Sequence, residues 1–250
     1  MLVCSSVIVL SSRILRCLSG LLAGHRRRIG SRWRRLSCGR QALFVLARLC
    51  CGGTCIRLAA GFQVGIATVY RCIREAGGLL ASLAPTLEQA MHTICRKAYV
   101  IVDGTLLPVD RVAADRPYCS GMKKHHGMNV QVLTDPAGRL LWVSDALPGT
   151  VHDLTAARTR GIAAALAADG IKCWADKAYQ GAGSAVRFPV RGKHLRGRHR
   201  RRNRDHAKIR SLGERAVAAL KCWRVLRRLR CSTTRITAVV RAIVTLGLTS

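Results

Sequence analysis

Acids are scarce in this chain, and that makes their placement informative. Lysine and arginine number 43 against 12 aspartates and glutamates, a formal net charge of +31. Most carboxylates on such a chain serve as partners for arginine, so an acid that ends an apolar run needs another reason. Two acids are placed that way: Asp103 closes "AYVIVD" and Asp176 closes "IKCWAD". Short continuous apolar runs are the pattern of strands covered on both faces. If the two strands are parallel neighbours, both carboxylates meet at the C-terminal edge of the sheet, where α/β proteins place their sites. Carboxylates so placed repel unless cations lie between them. Hard oxygen ligands in an incomplete shell suit Mg²⁺, or Mn²⁺ in its place, and two such ions can clamp the attacking and leaving oxygens of a phosphoryl displacement.

A third ligand must come from further along, and only Asp205 and Glu214 are acidic after Asp176. At 100° per residue Ile209, Leu212, Ala216, Leu220 and Trp223 share one apolar helix face, with Glu214 on its flank. From there Glu214 can reach over a sheet edge, or it can form a surface ion pair with Arg210 four residues earlier. The spacing alone leaves both open. Asp153, in "PGTVHD", is a competing ligand and equally a helix N-cap or first-turn acid. His152 beside it can orient a ligand or a phosphate, or serve structure alone.

The elements that would position these groups fall into two parts. Residues 1–97 read as helical. An amphipathic helix spans about 11–22, followed by a basic run at 24–36. Three short helices follow, at about 40–49, 54–60 and 66–77, with a "GFQVG" turn between the last two. A helix, a glycine-containing turn and a second helix make a helix-turn-helix pattern at about 40–80. Thr68, Tyr70, Arg71 and Arg74 would face outward on its second helix, and these residue types reach phosphates and base edges. A plain three-helix bundle with a basic face fits the same pattern.

From residue 98 to 250 strands lead: 98–103, then a hairpin of 128–135 and 139–147 around a "DPAG" turn. A helix at about 152–168 comes next, then a strand at 171–176 and a short one at 185–190. A loop at 191–206 precedes two final helices, about 204–229 and 233–247. Three strands before the first helix argue against a dinucleotide-binding unit and for one mixed sheet with helices on it.

Hydrophobic residues make up 49% of the 250, enough for a core, so global disorder is excluded. The charge excess points to a polyanion, most often nucleic acid. Seventeen lysines and arginines lie between Arg187 and Arg230 against two acids, among them Arg200, Arg201 and Arg202. Lys123 and Lys124 add two more candidate phosphate contacts. The twelve cysteines are irregularly spaced without a CxxC pair, which fits reduced thiols in the cytoplasm better than a zinc site or a disulfide scaffold. The apolar N-terminus lacks a positive segment before it, and Arg13 and Arg16 interrupt it, so neither a signal peptide nor a membrane span is expected.

The segments "VDGTLLPVDR", "YCSGMKKHHGMNVQVLTDPAGRLLWVSDALPGTVHDLTAAR", "WADKAYQGAG" and "HAKIRSLGERAVAALKCWRVLR" together resemble the DDE transposases of bacterial insertion sequences, in the insertion-sequence-five group related to PIF/Harbinger. The resemblance extends over essentially the whole chain. It implies an RNase H-like catalytic domain preceded by an all-α helix-turn-helix domain. It also implies an acidic triad that, with two Mg²⁺ or Mn²⁺ ions, cuts double-stranded DNA at transposon ends and joins them to target DNA. Asp103 matches the first acid, Asp176 the second and Glu214 the third, while Asp153 and His152 match a G-x-x-H-D element outside the triad. A homo-oligomer on DNA is implied, since two transposon ends must meet. Ala178 stands where relatives carry glycine, which predicts strain if that turn needs a positive φ. A DNA-binding relic without catalysis is the alternative reading of the same motifs.

Overall fold

The structure, a computed structural model, describes residues 12–31, 34–110, 119–120, 125–230 and 232–249. By internal contacts the chain divides into two compact units. One takes the described residues of Met1–Ala84, Cys222–Arg228 and Ala238–Ser250, and the other those of Pro85–Lys221 and Leu229–Thr237.

The first unit is helical. Helix α1 (Ser12–Arg28) buries Ile14, Leu18 and Leu22, one stripe at four-residue spacing. It continues six residues beyond the expected end at Leu22. Arginine is a good helix former, and His25, Arg26, Arg27 and Arg28 sit where the negative end of the helix dipole favours cations. Helices α2 (Cys38–Cys51), α3 (Cys55–Phe62) and α4 (Ile66–Ser82) follow. The Ser37 and Thr54 side chains cap α2 and α3 by accepting from the Arg40 and Arg57 amides. Gly52, at φ 64°, ends α2 in the left-handed conformation. Helix α4 runs through Gly77 and Gly78 because Val69, Cys72, Ala76 and Leu80 keep one buried face.

The second unit holds the sheet. Helix α5 (Leu87–Ile94) starts in a capping box of Thr86 and Gln89. The strands are β1 (Val100–Pro108), β2 (Cys119–Ser120), β3 (His125–Thr134), β4 (Leu140–Val143), β5 (Leu147–Pro148), β6 (Cys173–Trp174) and β7 (Val186–Arg187). Their order is β2-β3-β1-β6-β7, with β4 and β5 also on β3. β3 is antiparallel to β1, whereas β1, β6 and β7 are mutually parallel. The expected mixed sheet is therefore present. The β3–β4 hairpin turns at Asp135, whose Oδ1 accepts from the Ala137 and Arg139 amides while Gly138 takes φ 78°.

Three helical expectations need correction. The helix expected at 152–168 is two, α6 (Asp153–Thr159) and α7 (Ile162–Ala168), because Gly161 breaks it at φ 70°. The loop expected at 191–206 ends early, since helix α8 (Gly197–Cys222) already includes its last ten residues. No apolar periodicity marks that arginine-rich turn, and its anchors are polar: Asn203 exchanges two hydrogen bonds with the Val190 backbone. The buried face of α8 consists of His206, Gly213, Ala216, Val217 and Leu220, rotated from the expected stripe toward Gly213. A short 3-10 helix (Arg224–Arg227) and helix α9 (Thr233–Leu248) complete the chain. The core under the sheet includes Val100, Val102, Leu133, Ile162, Leu166, Cys173 and Tyr179. Among the described residues no helix is long and apolar enough to cross a membrane.

Candidate active site

Two strands bring Asp103 and Asp176 side by side. Val100 pairs with Cys173 and Ile101 with Trp174 in parallel register. Asp103 and Asp176 each stand two residues past the last of these pairs, at the same level of the same edge. After Ala175 the chain turns into a 3-10 helix (Lys177–Tyr179), and the Asp176 side chain caps it by accepting from the Ala178 amide at 2.6 Å. Ala178 therefore carries no strain. Gln63 is the one non-glycine residue with positive φ among those described, so the expected positive φ at Ala178 is not found.

Glu214 arrives from α8. The residue before it, Gly213, faces β1, and a Cβ there would stand 2.8 Å from Ile101 Cγ2. The missing side chain lets α8 approach the sheet beside the carboxylates. Glu214 itself is exposed and pairs with Arg210 at 3.3 Å, so the ion pair left open by the spacing does form. Its charge nonetheless bears on the cluster, as the electrostatics of Asp103 show. Burial pushes the Asp103 carboxyl up to about 6. Arg210 opposes the shift, while Asp176, Asp153 and Glu214 add to it. Three other carboxylates therefore act on Asp103, and among the described residues nothing donates a hydrogen bond to it.

Asp153 is the first residue of α6, with His152 as the exposed N-cap that makes no capping bond. Asp153 is thus a first-turn acid, but it also points at the sheet. Its carboxylate rests against Gly104, where a Cβ would overlap it. The glycine after Asp103 is explained by the acid some fifty positions later. Asp153 Oδ1 accepts from Asn129 Nδ2 at 2.8 Å and Gln131 Nε2 at 3.1 Å. Neither amide stands out in the sequence as a site residue. Their alternation in "MNVQV" on an interior strand is the available signal, because buried amides require partners.

The candidate nucleic-acid contacts lie on α4 and α8. Tyr70, Arg71 and Arg74 are exposed on α4, and Thr68 is half-buried, accepting from Arg71 at 3.3 Å. Arg200, Arg201 and Arg202 are exposed in the first turns of α8, apart from a partly covered side at Asn203. Lys123 and Lys124 lie outside the described residues.

The chemistry of the site fits a hard divalent cation: the donors are carboxylate oxygens, and Asp103 lacks any neutral donor of its own. In this arrangement, among the described residues, no three acidic, histidine or cysteine side chains converge closely enough to grip an ion. The Arg210 guanidinium, paired with Glu214, supplies positive charge instead.

Comparison with known protein families gives a match. The family described as DDE superfamily endonuclease matches residues 102–247, a span that includes Asp103, Asp153, Asp176 and Glu214. No curated protein and no solved structure matches the chain.

Proposed function

Because this chain belongs to the DDE superfamily endonucleases, we propose that it is a transposase of the insertion-sequence-five type that cleaves double-stranded DNA at transposon ends and joins them to a target. Family membership points to transposase-like nuclease activity on DNA. The observation that carries the finer reading is the common level of Asp103 and Asp176 on adjacent parallel strands, with Glu214 acting on the same carboxylate. The strand order, with a central β1 flanked by antiparallel β3 and parallel β6, supports an RNase H-like sheet.

In this reading Asp103, Asp176 and Glu214 hold Mg²⁺ or Mn²⁺, two ions in all. When bound, such ions lower the pKa of water and stabilise the leaving oxygen of a phosphodiester. The chain's own part is orientation. The sheet edge fixes Asp103 and Asp176, and α8 brings Glu214 across. Release of Glu214 from Arg210 frees the third carboxylate, and Arg210 is then available to a phosphate. The exposed arginines of α8 and the α3–α4 helix pair, read as a helix-turn-helix, bind DNA backbone and hold it in line. Lys123 and Lys124 belong to the same proposal, as does a homo-oligomer on DNA.

A second reading, a DNA-binding relic without catalysis, is favoured by the Arg210–Glu214 pair, which leaves the third acid engaged. Nicking of labelled DNA carrying the element's ends separates the two. Metal-dependent cleavage that Asp103→Asn abolishes, with DNA binding retained, is the expected result. DNA binding without cleavage in Mg²⁺ or Mn²⁺ would establish the relic instead.

A further inference from the structure

We propose that the outward face of α4 reads base edges in the major groove of double-stranded DNA, with Ile66, Ala67 and Tyr70 meeting the C5-methyl groups of thymines. The inference rests on the helix-turn-helix part of the proposed function above and names the base edges that part would read.

The turn between α3 and α4 is short and fixed. Gln63 ends α3 at φ 54°, and the Val64 N–H reaches back to Ala59 O at 3.0 Å. A left-handed stop of this kind usually falls to glycine. Helix α4 begins at Ile66, directly after Gly65. Leu58 and Ala59 of α3, Val64 of the turn, and Val69, Cys72 and Ala76 of α4 are buried, and α3 packs on α4. In helix pairs of this kind the first turns of the second helix reach base edges, while the first helix crosses the DNA backbone.

At 100° per residue, Ile66, Ala67, Tyr70, Arg71 and Arg74 share the half of α4 opposite Val69 and Ala76. All five are exposed, Ile66 by 46% and Tyr70 by 59%. A single apolar residue on a surface is ordinary. Here two large ones lie one turn apart beside two arginines. Charge selects what covers them. Glu75 is the one acid in α3 and α4, and it turns inward. Gln41 Nε2 donates to it at 2.8 Å and Arg34 pairs with it at 3.0 Å, leaving its side chain 12% exposed. The outward side therefore presents Arg57, Arg71 and Arg74 with no carboxylate among them. One-sided positive charge around an apolar centre suits a polyanion with apolar features on its surface. The major groove of B-DNA is about 12 Å wide and admits a helix. That of A-form RNA is too narrow for side chains to read.

Thymine alone among the DNA bases carries a methyl group into the major groove. The side chains of Ile66 and Ala67 have no hydrogen-bonding group, so that methyl is the feature they can distinguish. The Tyr70 ring adds apolar surface one turn further on. Helix turns are ~5.4 Å apart and base pairs ~3.4 Å, so Ile66 and Tyr70 address positions one or two base pairs apart. Arg71, which donates to Thr68 Oγ1 at 3.3 Å, and Arg74 take phosphates.

The test is selection by the full-length protein, in EDTA, from a pool of random double-stranded DNA. Affinity is then measured for the enriched duplex and for copies with single thymines replaced by deoxyuridine, which lacks only the methyl. The expected site carries thymines one or two base pairs apart, and uracil at each weakens wild-type binding by ~4-fold, the worth of one buried methyl. Ile66→Ala should bind the thymine duplex more weakly and lose discrimination at one of these positions. Ile66 is exposed, so its replacement keeps the fold, and the uracil comparison needs no variant at all. Equal affinity for thymine and uracil duplexes, or the same discrimination by wild type and Ile66→Ala, would overturn the inference. So would a change of assembly size in Ile66→Ala with site selection intact, which would make this face a protein contact. Each of these results leaves metal-dependent nicking, and with it the transposase reading, untouched. Thymine-dependent selection by a protein that never nicks would sink the transposase reading and leave the inference standing.

Discussion

Gly104 and Asp153 occupy one space: the carboxylate of the second fills the position a side chain on the first would need. Such a contact ties a strand residue to the start of a helix across some fifty positions of sequence. It makes Gly104→Ala a sharp probe. Overpacking of this kind typically destabilises by ~1–3 kcal/mol. The alanine must push Asp153 off its two amides, Asn129 and Gln131, so the variant should be less stable than wild type. Urea denaturation of the variant checks this. Gly213→Ala should behave in parallel, since its Cβ would press on Ile101 and lift α8 with Glu214, offset by roughly 1 kcal/mol of helix propensity.

The elevated Asp103 carboxyl gives a pH dependence with a definite sign. Its folded pKa, about 6, lies above the ordinary 3.8, so the folded state holds the proton more tightly. Stability from this group is therefore greatest below about pH 4 and declines as pH rises through the window to about 6. The upper bound is on the order of 3 kcal/mol. Asp103→Asn should remove this decline, so the variant is more stable than wild type at pH 7 without metal. Paired urea curves from pH 4 to 8 measure the difference. A variant that melts below wild type at pH 7 would contradict the electrostatic account of the site.

His206 is shifted the other way. It is buried against Trp174, rings 5.1 Å apart, with Nε2 on Arg187 O, and burial lowers its pKa below the ordinary 6.5. Its contribution to stability is present above 6.5 and disappears as pH falls through the lowered value. Protonation should loosen the basic half of α8. Proteolysis between Arg198 and Arg204 should accelerate below that pH, and His206→Gln should abolish the pH dependence of cleavage there.

The exposed arginines of α8 should act through phosphates. Replacing Arg200, Arg201 and Arg202 together by alanine should weaken binding uniformly across DNA sequences. The slope of log affinity against log salt should shrink by about 0.9 for each phosphate that the variant no longer neutralises. Fluorescence anisotropy at several salt concentrations gives that slope. An unchanged slope would place the DNA elsewhere on the chain.

Much of this is legible in the sequence because it depends on local pattern. The apolar runs that end on Asp103 and Asp176 mark buried strands, which the structure pairs in parallel, and the "DPAG" turn marks the hairpin. Other features depend on contacts between distant residues. The amides Asn129 and Gln131 look like ordinary polar positions until Asp153 is seen to face them. The start of α8 hides behind a run of arginines with no apolar stripe. The break at Gly161 is a choice of φ that spacing does not reveal, since glycine inside a helix is often tolerated. Glu214 shows the limit most clearly: the flank position on its helix is readable, but its pairing with Arg210 is one of two outcomes the same spacing allows.

Helix α8, 26 residues and ~39 Å long, can also be considered as a beam. It has two supports. One is the pair of Asn203–Val190 hydrogen bonds with His206 on Arg187 O. The other, ~15 Å further along, is the close seat of Gly213 on Ile101. Arg200, Arg201 and Arg202 lie on the overhang outside the first support, and Glu214 lies one residue past the second. A load on the overhang is borne at Asn203 and His206 before it reaches the far seat. Because a rigid rod loaded on its overhang pivots about the nearer support, a pull on the arginines is also felt at the Gly213 seat, beside Glu214.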